Sequence, residues 1–516
     1  MKGKCNVFLL CIMLLLTAIA ANATQVWDGK TKELWTKGSG TESDPYLIET
    51  PANLAYLAAQ VNAGNTYKDT YFLQTGNIDL NGKSWTSIGS STSAVFSGHY
   101  DGGNKLVVDA ENYIFGYIQS ATIQNITIAG ASTSSLVNVV QNNSTLINCY
   151  NKSQSTLTSV TAGIVQTVTG TGGTFINCGN YANIKWQKTN QVDYIGGCFG
   201  KISGNAVIKR CFNYGNIDIL GTSIYVGGIV GSIISSTIEC CFNQGDIVVT
   251  LTMTGSWGAK GEIGGLAGSA GKCTILHSYN TGNLSADIQS QMYVMSCIGG
   301  ITTNSSTEYA ATIKGCYVAG TLNYDDSKFN AVAIGNTEHL EQCFCPISYI
   351  AQLPDDSNVR PLSQSEMKSP SFVSLLNTDG DYFYPDYTNI NDGYPILRWQ
   401  LEGVDFYTVK GLCREEQGTV TGTGAYPKGA EIQLTATPKD NFVFAGWSDG
   451  VTDNPRTVKV EGEATYAAQF ERTSYTVYVQ GNRIKIRPLY NAEWLLRIVS
   501  VCSRLLSSPI DARRNI

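Results

Sequence analysis

Across residues 145–345, apolar and polar residues alternate in short runs, and the runs recur at a long interval. The stretch from Tyr194, "YIGGCFGKISGNAVIKRCFNYGNIDI", is rewritten from Tyr225 as "YVGGIVGSIISSTIECCFNQGDIVV". Alignment gives a cysteine column at Cys149, Cys178, Cys211, Cys241, Ser278, Cys316 and Cys343, spaced by 27 to 38 residues. Three residues before each member stands an apolar residue: Leu146, Phe175, Ile208, Ile238, Ile275, Ile313 and Leu340. A second column pairs glycines at Gly196-Gly197, Gly227-Gly228, Gly264-Gly265 and Gly299-Gly300, preceded by Ala162-Gly163. Alternation with β-branched and aromatic residues predicts strands, and no 3.6-residue period competes with it.

A period of this size means stacked units. The expected fold is all-β: a parallel β-solenoid (β-helix) with short helical caps, followed by a small β-domain. Matching residues of successive coils would lie about 4.8 Å apart, so about nine coils make a rod on the order of 40 Å. The isoleucine and cysteine columns are expected inside, and the glycine pairs at corners that need positive φ or close approach. The Asn-x-Gly pieces read as turns. Neighbouring coils bring cysteines near enough for disulfides, but Ser278 keeps the pattern without a thiol. That favours cysteine as a small buried apolar residue.

Two helices are predicted as caps, because open strand edges invite pairing with other chains. Residues 49–64 begin at Thr50 with Pro51 in the first turn; Leu54, Leu57, Ala58 and Val61 share a face, and Gly64 ends the helix. Residues 363–377 look helical at the other end, and 389–400 reads as a final strand.

Composition changes this picture in three ways. Charged residues are only 15% of the 516 and the formal charge is −6, so nucleic-acid binding is not expected. Lys2 and Lys4 precede the run "VFLLCIMLLLTAIA" and the cleavage-like "ANA" ending at Ala23, which reads as a signal peptide over residues 1–23. A secreted or outer-surface monomer with no membrane span in the mature chain is expected. Thirteen cysteines follow that cleavage, an odd number that excludes complete internal pairing.

Several segments resemble known families. "GTESDPYLIETPANLAYLAAQVNAG", "NIDLNGKSWTSIG", "FSGHYDGGNK", the "GGLAG" and "GGIVG" runs and "INDGYPILRWQ" are similar to exported GLUG-motif proteins over about residues 38–400. That resemblance implies an extracellular β-solenoid associated with adhesion, and supplies no catalytic residues. A secreted zinc protease also carries the motif but needs His-Glu-x-x-His; His99, His277 and His339 stand in no such setting. From about residue 404 to 471, "GTGAYPKGAEIQLTATP", "FAGWSDG" and "AAQFE" resemble the internalin-type B-repeat, a β-grasp-like module. Trp447, Phe444 and Phe470 are its expected core, with a sugar-binding Trp447 as the alternative. The tail 473–516 opens like a β-sandwich sorting domain of type IX secretion and then loses the pattern, as a truncated or frame-shifted end would.

The chemistry-bearing residues do not gather. Enzymes on parallel β-helices cluster carboxylates, Arg or Lys on one face of adjacent coils. Here Asp218 aligns with Val248, Asp246 with Asn216 and Asn283, and Glu239 and Glu262 stand alone. Asp79, Asp101 and Asp109 belong to the early coils. "DDSN" at Asp355 and "DGDYFYPD" at Asp379 are acidic loops without the full spacing of a calcium site. No catalytic, cofactor-binding or metal-ligating residue is assigned, and no cofactor is expected. The sequence reads as a non-catalytic, adhesin-like protein whose partner is an extracellular glycan or a host or cell-surface protein. The alternative is a carbohydrate-active β-helix enzyme, a polysaccharide lyase or hydrolase.

Overall fold

A computed structural model describes residues 25–188, 191–252, 259–289, 295–303, 310–335, 339–353, 358–473, 475–480 and 483–488. The signal-like segment 1–23, most of the "DDSN" loop and residues 489–516 of the tail lie outside the described residues. The chain forms two compact units, residues 1–385 with 394–400, and residues 386–393 with 401–516.

The first unit is a nearly closed parallel β-solenoid. One central coil runs through strands Val207–Lys209, Phe212–Asn213, Ile217–Gly221, Ser223–Gly227 and Val230–Ile234. Each strand pairs in parallel with its counterpart one coil away, giving a 20-stranded sheet, a seven-stranded sheet and two five-stranded sheets. The apolar column is continuous in register: Leu146↔Phe175↔Ile208↔Ile238↔Ile275↔Ile313↔Leu340. All seven are buried, and each such side chain contributes about 1.5–3 kcal/mol.

The cysteine column lies beside it, buried and unbridged. Each thiol points at a carbonyl oxygen of the preceding coil at 3.5 to 3.7 Å, as in Cys241 Sγ to Ile208 O and Cys316 Sγ to Ile275 O. At the serine rung, Ser278 Oγ donates to Leu276 O at 2.6 Å and accepts from Cys241 N at 3.0 Å. Burial pushes the Cys343 thiol up to about 12, which disfavours the reactive thiolate at that rung. The residue just before each member is left-handed: Asn148, Asn177, Arg210, Cys240, His277, Gly315 and Gln342 all have positive φ. From the Asn177 rung onward that repeated kink splits the coil's first leg into two strands.

The coil has two apolar compartments with a waist between them. Ile208, Cys211, Val230 and Ile233 line the larger, while Ile217, Ile219, Ile224 and Val226 line the smaller. At the waist the glycine column faces an asparagine column. A Cβ on Gly228 would collide with Asn243 Cγ, and one on Gly265 would lie 2.6 Å from Asn280 Cγ. The glycines are required by this close approach, not by positive φ. The asparagines, expected to be turn residues, form a buried ladder. Asn180 Nδ2 donates to Asn213 Oδ1, Asn213 Nδ2 to Asn243 Oδ1 and Asn243 Nδ2 to Asn280 Oδ1, each at 2.8 Å. Each amide also donates to the backbone oxygen two residues on. Full pairing is what makes polar side chains tolerable there.

Helix α1 (Pro51–Asn62) forms as expected, with a reciprocal Thr50–Asn53 capping box and Leu54, Leu57, Ala58 and Val61 buried. Downstream, the segment 363–377 is helical as expected, in two pieces, α2 (Gln364–Met367) and α3 (Pro370–Leu376). Both pack into the cluster that holds an aromatic ladder: Phe212, Phe242, Tyr279 and Tyr317 stack with centroids 5.0 to 5.4 Å apart. Phe372 meets Tyr317 and Phe344 edge-on, and Trp399 covers Phe212 and Phe242. The bare rings demand a lid, and Trp399 Nε1 fixes it by donating to Cys240 O at 2.9 Å. The expected final strand shrinks to Ile396–Leu397, antiparallel to Phe383–Tyr384.

The second unit packs a four-stranded sheet against a three-stranded one. Strands Phe406–Leu412 and Ala464–Arg472 run parallel at the centre of the larger sheet. Its core holds Val409, Ile432, Leu434, Trp447, Val458 and Phe470, with Phe444 packed against it. Beyond it, Tyr475–Gln480 and Arg483–Pro488 form an antiparallel hairpin.

Candidate functional site

Parallel register turns any residue repeated at one outward position into a stripe, because the next copy lies about 4.8 Å away. Two tyrosine stripes arise in this way. In the first, backbone bonds step through successive coils: Tyr181 N to Asn151 O at 2.8 Å, Tyr214 N to Asn180 O at 2.8 Å and Gln244 N to Asn213 O at 2.9 Å. Lys152, Tyr181, Tyr214 and Gln244 therefore line up. The rings of Tyr181 and Tyr214 stack at 5.2 Å and 22°, and Lys152 Nζ lies 5.1 Å from the Tyr181 centroid. Tyr181 is 41% exposed. Burial raises the phenols of Tyr150 and Tyr181, so both are neutral hydrogen-bonding groups at ordinary pH.

The second stripe is the opening tyrosine of the repeated phrase. The register Tyr194↔Tyr225↔Glu262↔Cys297 places one residue on each coil. Tyr194 and Tyr225 stack at 5.1 Å and 25°. Lys201, on the strand after the glycine corner, sets its amine 4.7 Å from the Tyr194 centroid. Lys260 sits 5.8 Å from the Tyr225 centroid and bonds Glu262 Oε1 at 2.8 Å. Glu262 is buried. Among the described residues Lys201 has no carboxylate partner, whereas Lys260 has one.

The acidic residues singled out from the sequence are each engaged locally. Asp218 pairs with Lys185 at 3.3 Å and Glu239 with Lys209 at 2.7 Å. Asp246 accepts from the backbone and side chain of Asn283 at 2.8 and 2.9 Å. Asp79 is in register with Val108, beside Asp109, and Asp101, seven residues earlier on the same strand as Val108, accepts from Gln124 and Asn125. In the "DGDYFYPD" loop, Asp379 pairs with Lys314 at 3.1 Å and Asp381 with Arg398 at 2.9 Å. Asp386 accepts from the backbone of Ile390, Asn391 and Gly393. Among the described residues no group of three or more His, Cys, Asp or Glu is placed to hold a metal.

His99 stacks on Tyr71 at 4.2 Å. His277 is buried against Tyr382 at 3.6 Å, with Asp379 3.9 Å from its Nε2. The sugar-binding alternative for Trp447 is overturned: it is 1% exposed, and its Nε1 donates to Asp453 O at 2.9 Å. Sequence reading missed the two stripes, although Tyr194 and Tyr225 begin the repeated phrase.

A sequence profile of the divergent InlB B-repeat domain matches residues 407–474. A module of this type suggests an extracellular or surface protein. No curated protein shows significant similarity to the chain. A solved structure from Bacteroides ovatus, provisionally described as an immunoglobulin A1 protease, is 18% identical, with a TM-score of 0.41 over 71% of this chain and 95% of that one. No helix among the described residues is long and apolar enough to cross a membrane.

Proposed function

We propose that this chain is an exported, surface-associated or secreted protein, monomeric and adhesin-like, that binds glycans through one face of a solenoid built from GLUG-like coils. The observation that carries this reading is the pair of tyrosine stripes, Tyr181–Tyr214 and Tyr194–Tyr225, each flanked by lysine amines. A pyranose ring presents an apolar C–H face that packs on such rings, and its hydroxyls reach the phenols and amides alongside. Tyr194 and Tyr225 sit on paired strands, and Tyr181 and Tyr214 directly follow paired strands with their backbone bonded coil to coil, so the geometry is set before a ligand arrives, which lowers the entropy cost of binding. The acids outside the stripes are already committed to lysines and turn amides, which favours recognition over hydrolysis.

The test is retention and cleavage on a panel of host and plant glycans and of cell-surface proteins. Glycan retention lost in Tyr181→Ala/Tyr214→Ala or in Tyr194→Ala, with the glycan recovered intact, supports the reading. Shortened glycan chains, or retention of proteins alone, overturn it.

A further inference from the structure

The two ends of the Tyr194–Tyr225 stripe differ in charge, and the difference names a ligand class. Beside Tyr225, the amine of Lys260 is spent on the buried carboxylate of Glu262 at 2.8 Å. Beside Tyr194, the amine of Lys201 faces the ring at 4.7 Å with no carboxylate partner among the described residues. Register fixes the order along the stripe: Tyr194, then Tyr225, then Glu262. One end of a short aromatic platform therefore carries an unneutralised cation, and the other a neutralised ion pair with a buried negative group. The wall facing the platform carries Ser232 and Ser269 on the coils after Lys201, so that amine is its only charged group on these three rungs.

From this polarity we propose that Tyr194, Tyr225 and Lys201 form a subsite for a carboxylate-bearing saccharide, its ring on the tyrosines and its carboxylate on the Lys201 amine. The inference rests on the glycan-binding reading above and narrows it to acidic sugars at this stripe. An ammonium–carboxylate contact is charge-assisted and about twice as strong as a neutral hydrogen bond. At the other end the Lys260 amine is already engaged by Glu262, so the reverse orientation meets no free cation. At the Tyr181–Tyr214 stripe the Lys152 amine is shared between the Tyr150 and Tyr181 rings.

The experiment is titration calorimetry of the full chain with tetragalacturonate and 3′-sialyllactose, against fully methyl-esterified tetragalacturonate and lactose as neutral counterparts. The wild type is expected to bind at least one acidic member about tenfold or more tighter than its counterpart, with the preference weakening as salt rises. Lys201→Gln should abolish the preference and keep residual binding, while Tyr194→Ala should weaken both members. Lys201 is half-buried on the surface, and an unchanged melting temperature shows that its variant is folded. Equal affinity within each pair, or a preference that survives Lys201→Gln, overturns the acidic-sugar subsite and leaves the general reading intact. No binding to any of the four also overturns the subsite, and an empty wider panel then overturns the general reading with it.

Discussion

Asn243 offers the sharpest perturbation of the waist. Its side chain is wholly buried and takes part in three hydrogen bonds at 2.8 Å: from Asn213 Nδ2, to Asn280 Oδ1 and to Gly245 O. Asn243→Ala removes the donor that serves Asn280 Oδ1 and Gly245 O and the acceptor that serves Asn213 Nδ2. Each buried group left unpaired costs about 1–3 kcal/mol, so the variant should lose about 3–9 kcal/mol. That is a large fraction of the ~5–15 kcal/mol that holds a domain folded. In urea, with a slope of about 3 kcal/mol/M, the midpoint should fall by about 1–3 M. Asp218→Asn, which removes an exposed ion pair one coil away, should change stability by less than about 1 kcal/mol.

Asn243→Asp adds a pH signature. The buried acid prefers its neutral form, so its folded pKa rises above the unfolded ~3.9. The penalty is smallest below that value and grows as the pH rises through the folded pKa. The variant should therefore approach the parent at pH 4 and fall well behind it at pH 8. If Asn243→Ala matches Asp218→Asn within about 0.5 kcal/mol, the ladder does not hold the waist together and this reasoning fails.

Other consequences are open to measurement. Gly228→Ala should destabilise by about 1–3 kcal/mol, since its Cβ meets Asn243 and Gly265 O, while Gly462→Ala, with open space around it, should leave the melting temperature within a degree or two. Trp447→Ala should cost the second unit about 3–5 kcal/mol in thermal unfolding and leave glycan retention unchanged. Burial holds the His277 imidazole below its ordinary value; Asp379 and Glu239 oppose that shift, and Lys314 reinforces it. Its stabilising contribution is complete above the unfolded value of about 6.5 and is lost as the pH drops through the lower folded value. His277→Asn should flatten that acid limb in pH-dependent urea titrations, and an unchanged limb would assign it to other groups.

The parts of the fold legible in the sequence are those where one residue type fills one position in every coil. The isoleucine and cysteine columns are of this kind, because an interior shelf favours apolar groups of similar size at each rung. Helix α1 is legible because its cap, first-turn proline and apolar face are all local. The facing of Gly228 and Asn243 is hidden, since each column looks complete alone and only the bend of the coil brings them together. The kink column is hidden too: left-handed backbone is taken up by Asn, Arg, Cys, His, Gly and Gln alike. The lid over the aromatic ladder joins Trp399 to Cys240 across 159 residues, a separation no periodicity reports. The tyrosine stripes were written in the repeat, but their meaning needs the register that sets Tyr194 on Tyr225 and the fold that brings Lys201 over Tyr194.

Disulfide trapping tests the coil-on-coil register most directly. Val207, Thr237 and Thr274 occupy one column on successive coils, about 4.8 Å per step and therefore within the Cα separation a disulfide allows. Under mild oxidation, with links identified by peptide mass spectrometry, Val207→Cys/Thr237→Cys and Thr237→Cys/Thr274→Cys should each cross-link, and Val207→Cys/Thr274→Cys, two steps apart, should not. A missing link between adjacent rungs, or an equally efficient one across two, would contradict the stacking on which the whole account depends.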